Sequence, residues 1–395
     1  MADSSGTLSP RNLPAAQQSC TGEQTNDQEL KLSQWRYIVQ NFTPAWFSVN
    51  MGTGIVSILL NTLPYNGIWL YWISIIIFAL NVLLFMIFFT LTLIRYVLWP
   101  DIFLVMVTHP SQSLFLGTLP MGFATIINMF CFVCVPVWGE WAKYAVWAMW
   151  IVDAILSILA CFGIPFIMMT RKPEVSLSSM GAAWLLPIVA CVVAAASGGI
   201  VAEVLPSSYV LWGIGVPLAS MVTVIYLQRL MLHKLPPKAI IVSTFLPLGP
   251  LGQGSFGIQK LGIVAREVFP QTATLHHGTG GVLDDVGFLL GLIMWAFGLL
   301  WLEKVSVQPF NLGWWAFTFP LGVYSTCTVQ LGRDLQSRFF AVLGTIFSLC
   351  VVLLWIVVGG LTLRGIHNKA LFVAPCLKDL HEKRQRDAEA GRIES

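Results

Sequence analysis

The groups in this chain that could do chemistry are few, mostly uncharged, and set inside apolar runs. The densest set lies in GWWAFTFPLGVYSTCTVQLG at 313–332. There Ser325, Thr326 and Thr328 follow Pro320, and Trp314, Trp315, Phe317 and Phe319 precede it. Thr43, Asn50, Thr53, Thr118, Thr125, Asn128, Ser197, Ser243, Thr244, Gln253, Ser255 and Thr318 occupy comparable settings. Hydroxyls and amides can compensate a charged guest weakly. An ion stripped of water costs several kcal/mol at least, whereas a fixed opposite charge would hold it too tightly for turnover. Gln253, between two glycines, is the first side-chain donor to test. For each of these residues the structural alternative is a hydrogen bond to a neighbouring helix.

Other chemistries find little support. There is no phosphate-binding loop, no paired nucleophile and base, and no helical His/Glu zinc motif. His276–His277–Gly278 lacks partner ligands for a metal. The C-x-x-C of Cys131 and Cys134 sits in an apolar segment and reads as two small core residues. No metal or cofactor is expected. A formal charge of +3 gives no ground for a nucleic-acid partner.

These groups must be positioned within a bilayer. The 395 residues are 56% hydrophobic and 10% charged, against about 25% charged in soluble domains. Several uncharged runs exceed the roughly 20 residues that a spanning helix needs. The reading is an all-α integral membrane protein with ten spanning segments, near 43–62, 69–95, 114–136, 143–169, 180–201, 208–231, 239–260, 281–302, 313–331 and 339–363. Residues 1–34 are polar and read as a disordered tail, 35–365 as the ten-helix transmembrane domain, and 366–395 as a second polar tail. With both termini cytoplasmic, most of the 22 Lys and Arg fall inside. The outer side keeps Lys143, Lys260, Arg266, Arg333 and Arg338. The last four flank segments seven and nine, where they could draw anions to an outer mouth.

Each odd segment carries a proline followed by small residues: Pro44 in FTPAWFSVNMGTG, Pro120 in GTLPMGFAT, Pro187 in WLLPIVACVVAAASGG, Pro247 in TFLPLGPLGQGSFG, and Pro320 in FTFPLGVYSTC. Successive prolines lie about one helical hairpin apart. Even segments are bulkier, as in IWLYWISIIIFALNVLLFMIFF. This is a five-fold hairpin repeat. It predicts small-residue odd helices packed around an axis, kinked at the five prolines, with even helices facing lipid. Freed backbone groups at the kinks would be tolerated only where they line a passage.

These motifs resemble the tellurite-resistance/dicarboxylate transporter family, which includes TehA-type proteins, plant slow anion channels, yeast malate permeases and fungal sulfite efflux pumps. The resemblance spans roughly 35–365. Its HPSQSLFLGTLPMG and GPLGQG blocks are most similar to those of the sulfite pumps. It implies ten helices in five hairpins, a central pore in each subunit, a homotrimer in the plasma membrane, and sulfite or bisulfite as cargo. Malate permeation and chloride or nitrate conduction are the alternatives. It also implies a pore-plugging phenylalanine on helix nine. The family's Phe-Pro pair falls on Phe319–Pro320, with Phe317 the fallback. Asn50, Thr53, Thr125, Asn128, Gln253, Ser255, Ser325 and Thr326 are then the expected pore lining, and Trp314 and Trp315 interfacial anchors.

Asp153 sits mid-segment in WIVDAIL. A proton-linked site, a contact between subunits, and a structural pairing with a hydroxyl or cation are its three readings. An outer-helix position favours the last. With no titratable group expected along the inner helices, passive uniport is the expected mechanism.

Overall fold

The computed structural model describes residues 34–170, 177–202, 205–234, 243–272, 275–276, 278–302, 310–377 and 380. Nearly all of the proposed N-terminal tail, and residues 381–395 of the C-terminal one, lie outside them, as does His277. The described residues are helical: α1 (Phe47–Thr62), α2 (Ile68–Leu98), α3 (Thr118–Met129), α4 (Glu140–Thr170), α5 (Leu185–Val201), α6 (Leu205–His233), α7 (Leu248–Thr272), α8 (Thr279–Gly298), α9 (Trp315–Asp334) and α10 (Arg338–His367), with shorter helices between. The helix α3 continues through a π-turn at Phe130–Cys134 into Val135–Trp138.

Seven of the described helices are long and apolar enough to cross a membrane: α2, α4, α5, α6, α8, α10 and the run Ser113–Trp138 around α3. The sequence expectation was ten. The helix α1 has only 16 residues. In α7 and α9, glutamines, glycines and the charged Lys260, Arg266, Glu267, Arg333 and Asp334 dilute the apolar character.

Two populations of helix are distinct. In the apolar window of α5, 83% of residues are buried, against 22% in α8 and α10. Along α9, all residues from Phe317 to Gly332 except Leu321 are buried. The bulky helices instead bury one narrow stripe. On α2 it comprises Ser74, Ile77, Phe78, Asn81, Phe88 and Arg95, while Trp69, Trp72, Ile76, Leu83 and Met86 stand exposed. So wide an apolar exterior suits lipid rather than water.

The buried helices close a ring. The helix α1 packs on α3, α3 on α5, α5 on α7, α7 on α9, and α9 back on α1. Each bulky helix packs against the ring helix before it in sequence. Close approach follows from side-chain size. A methyl at Gly252 of α7 would stand 2.8 Å from the backbone N and Cα of Tyr324 on α9.

A hydrogen bond from each outer helix reaches the ring helix of the next hairpin. Asn81 Nδ2 of α2 donates to Thr125 Oγ1 of α3 at 3.1 Å. The indole of Trp150 on α4 donates to the Ala194 carbonyl of α5 at 2.8 Å. Trp212 on α6 donates to the Gly254 carbonyl of α7 at 2.9 Å, and Trp295 on α8 to Thr328 of α9 at 2.9 Å. Trp355 on α10 returns to Thr53 of α1 at 3.1 Å and completes the circuit.

The prolines differ from expectation. A 3₁₀ turn precedes every ring helix: Pro44–Trp46, Ser113–Gly117, Ala182–Trp184, 243–245 and Leu312–Trp314. Pro44 opens one such turn, Pro247 lies in the turn before α7, and Pro120 and Pro187 are third residues of their helices. These positions have no intrahelical N–H bond to lose, so the prolines start helices rather than kink them. Pro320, sixth in α9, is the exception. It removes the N–H that would bond the Ala316 carbonyl.

The C-terminal boundary also shifts. Phe372, Ala374 and Cys376, assigned from sequence to a polar tail, are buried. The Phe372 ring stacks on Trp46 at 5.2 Å, and the Ala374 N–H donates to Asn41 Oδ1 at 3.2 Å.

Candidate functional site

All five ring helices line two cavities. The larger, of about 610 Å³, is bounded near the N-terminal ends of these helices, by Ser48 and Met51 of α1, Thr118 of α3, Leu186 of α5, Gly249 of α7 and Ala316 of α9, among others. The smaller, of about 90 Å³, is bounded farther along the same helices: Ile55 and Ile58, Thr125 and Asn128, Val193, Gln253 and Lys260, Thr326 and Arg333. The five ring helices therefore run in one direction. One residue belongs to both linings, Phe319. Its side chain is buried, and an aromatic ring between two cavities is a barrier to water and ions.

Phe317, the fallback, lines neither cavity. Its ring packs edge-on against Phe245 at 5.3 Å and Trp314 at 6.0 Å. Trp315 is buried and its indole donates to Thr362 of α10 at 3.0 Å, so it is a core residue and not an interfacial anchor.

The expected lining residues divide evenly. Thr125, Asn128, Gln253 and Thr326 line the smaller cavity. Asn50, Thr53, Ser255 and Ser325 reach neither cavity and bond to neighbouring helices instead. Asn50 donates to Asn81 Oδ1 at 3.2 Å, and Thr53 accepts from Trp355. Ser255 donates to the Gly291 carbonyl of α8 at 2.6 Å, and Ser325 to the Gly344 carbonyl of α10 at 2.9 Å. The physical reason is helical phase. On α9 the cavity face runs Phe319, Val323, Thr326, Gln330, Arg333, spaced by three or four residues. Ser325 is one residue, about 100°, off that face.

The donors at the cavity differ in availability. Thr125 donates to the Gly122 carbonyl at 2.7 Å and Thr326 to the Gly322 carbonyl at 3.1 Å, so both hydroxyl protons are engaged. No hydrogen bond engages the side-chain NH2 of Gln253 or of Asn128 among the described residues, and Asn128 Oδ1, an acceptor, is buried without a partner. The two NH2 groups are free to donate to a guest.

The four expected outer-mouth cations also separate. Arg266 pairs with Asp284, and Arg338 is exposed at the start of α10, outside both linings. Arg333 lines the smaller cavity and donates to the Thr62 carbonyl at 2.7 Å. Lys260 lines it as well. Sequence placed Lys260 at the end of a segment closing near 260. The prolines instead set the start of α7 at Leu248, and the helix runs on to Thr272. That moves Lys260 into the wall. Gln330, which sequence reasoning passed over, lies four residues beyond Thr326 on the same face. Helical spacing from Phe319 would have found it.

Asp153 lies off both cavities, on the buried face of α4 with Trp150 and Ser157. Both carboxylate oxygens are without a hydrogen-bond partner. The expected pairing with a hydroxyl or cation is absent among the described residues.

A ring of buried helices with an apolar exterior, enclosing two cavities that meet at one aromatic ring, defines a membrane transport protein. The voltage-dependent anion channel family matches residues 41–363, and the chain belongs to it. It is 50% identical to a sulfite efflux pump of Arthroderma benhamiae over 366 residues, 89% of this chain and 97% of the relative. A sulfite efflux pump of Candida albicans is 28% identical over 79% of this chain and 71% of its own. A malic acid transport protein of Schizosaccharomyces pombe is 23% identical over 83% and 79%.

Proposed function

We propose that the protein carries sulfite or bisulfite out of the cell through a gated anion pore, with Phe319 as the gate. The observation that carries this reading is that, among the described residues, Phe319 alone belongs to the linings of both cavities. Half-identity to sulfite efflux pumps along almost their whole length supports the cargo. In this reading α1 to α10 are ten spanning helices in five hairpins. The shorter α1, α7 and α9 cross inside the ring, where neighbours rather than lipid surround them. The transporter domain takes in residues 35–365 and the packed stretch that follows through Cys376, both termini are cytoplasmic, and the site is the plasma membrane. The larger cavity is then the inner vestibule. Three such subunits form a homotrimer.

The path fits anions and passive flow. Among the described residues neither lining contains Asp, Glu or His, so none of them sets a carboxylate or imidazole in the way to repel an anion or relay a proton. Among the described residues the vestibule lining has no charged side chain, and those of the smaller cavity are the cations Lys260 and Arg333. The missing N–H at Pro320, next to Phe319, provides a pivot for displacing the ring.

The test is sulfite flux in proteoliposomes. Phe319→Ala is expected to raise it at least tenfold over the intact protein. Unchanged flux in a monodisperse variant would sink the gate. A dicarboxylate cargo is the second reading, favoured by the malic acid transport protein of the same family. Competition separates the two: excess malate leaves sulfite flux unaltered if the first reading holds.

A further inference from the structure

One cation of the path, Lys260, makes no ion pair and no hydrogen bond among the described residues. It lines the smaller cavity beside the free NH2 groups of Gln253 and Asn128. Among the described residues, the surrounding charged and titratable groups are Arg333 and Asp334 of α9, Arg266 of α7, Asp284 of α8 and Cys131 beside α3. With Lys260 the charged ones are three cations against two carboxylates, one net positive charge, and each of the others has a hydrogen-bond or ion-pair partner. Arg333 donates to the Thr62 carbonyl, Arg266 is paired with Asp284, and Asp334 accepts from Gln330 Nε2 at 2.8 Å. The Cys131 thiol is directed to the Ile200 carbonyl at 3.8 Å.

This arrangement bears on the charge of the cargo. The self-energy of an ion moved into a low-dielectric cavity grows as the square of its charge, whereas its attraction to a fixed cation grows only in proportion. Doubling the anion's charge therefore quadruples the cost and doubles the gain. We propose that the cavity formed by Lys260, Gln253 and Asn128 is the resting site of a singly charged oxyanion, so that bisulfite, not the sulfite dianion, is the form carried. The inference rests on the reading of the path as an anion pore and adds the charge state and the selecting residue. Lys260 restores in one place the charge compensation that the hydroxyls, engaged with backbone carbonyls, do not supply.

The experiment is the zero-flux voltage for labelled sulfite in proteoliposomes at equal pH on both sides. With a tenfold sulfite gradient, a singly charged permeant balances at about 59 mV and a doubly charged one at about 30 mV. The expected value for the intact protein is the former, and the latter overturns the proposal without any variant having to fold. Lys260→Gln is expected to reduce flux at least tenfold and to admit potassium, while Lys260→Arg retains both flux and anion preference. A Lys260→Gln protein that conducts and selects like the intact one removes Lys260 from the proposal. Absence of any sulfite flux above empty vesicles, in the intact protein and Phe319→Ala alike, instead defeats the sulfite-pore reading.

Discussion

At the scale of single residues, the two neighbouring phenylalanines separate barrier from packing. Phe319 divides the cavities, whereas Phe317 is wedged between Phe245 and Trp314. Phe317→Ala is accordingly expected to cost about 3–5 kcal/mol of stability, as core Phe truncations do. It should leave sulfite flux per folded molecule within about twofold of the intact protein, against the tenfold rise expected at Phe319. Thermal midpoint in detergent and vesicle flux, measured together, check this. Asp153 offers the opposite case, a buried acid whose oxygens find no donor. An isolated buried carboxyl is a liability. Asp153→Asn is therefore expected to be neutral or to stabilise by up to about 2 kcal/mol, with flux unchanged. A loss of flux at equal stability would reinstate a proton-linked role.

At the scale of elements, the ring is held by clasps between successive hairpins. Each runs from an outer helix to the next ring helix, four of the five through a tryptophan indole. The Trp355–Thr53 bond closes the circuit between the last outer helix and the first ring helix. Trp355→Phe keeps most of the ring area and deletes the donor. It is expected to lower stability by about 1 kcal/mol. Thr53→Val in the same background should then add little, since the partner has already gone, and a double-mutant cycle in chemical denaturation reads this coupling. This clasp explains why Thr53, which meets neither cavity, looked like a lining residue. A hydroxyl in an apolar helix signals that something polar is met, but not on which side.

At the scale of the whole molecule, the lining without acids leads to a prediction about energy coupling. Moving one charge through 100 mV is worth about 2.3 kcal/mol, roughly a fiftyfold change in the equilibrium ratio. Efflux from vesicles is expected to follow an imposed voltage. It should not follow an imposed proton gradient at zero voltage, once the change in bisulfite fraction is accounted for. Flux driven by the proton gradient alone would show a coupled carrier.

The all-helical membrane class, and the small-residue helices that pack into the ring, were legible in the chain before folding. Composition, the period of the proline blocks and the contrast between small and bulky helices are local properties, and they survive into the structure as buried and lipid-facing populations. The sequence also marked the Phe319–Pro320 pair. Only the tertiary structure decided which polar side chains meet a cavity. Ser325 and Thr326 are chemically alike and adjacent, yet one bonds to α10 and the other lines the path. Helical phase relative to the axis is fixed by packing, and a sequence carries no such reference until one residue is known to lie on the axis. The prolines were visible, but their action depended on where each helix began. Four start or precede their helices, and that shift in α7 set Lys260 in the cavity wall. A stretch that sequence reads as a membrane segment followed by a loop cation is, in the fold, one continuous helix carrying a charge into the path.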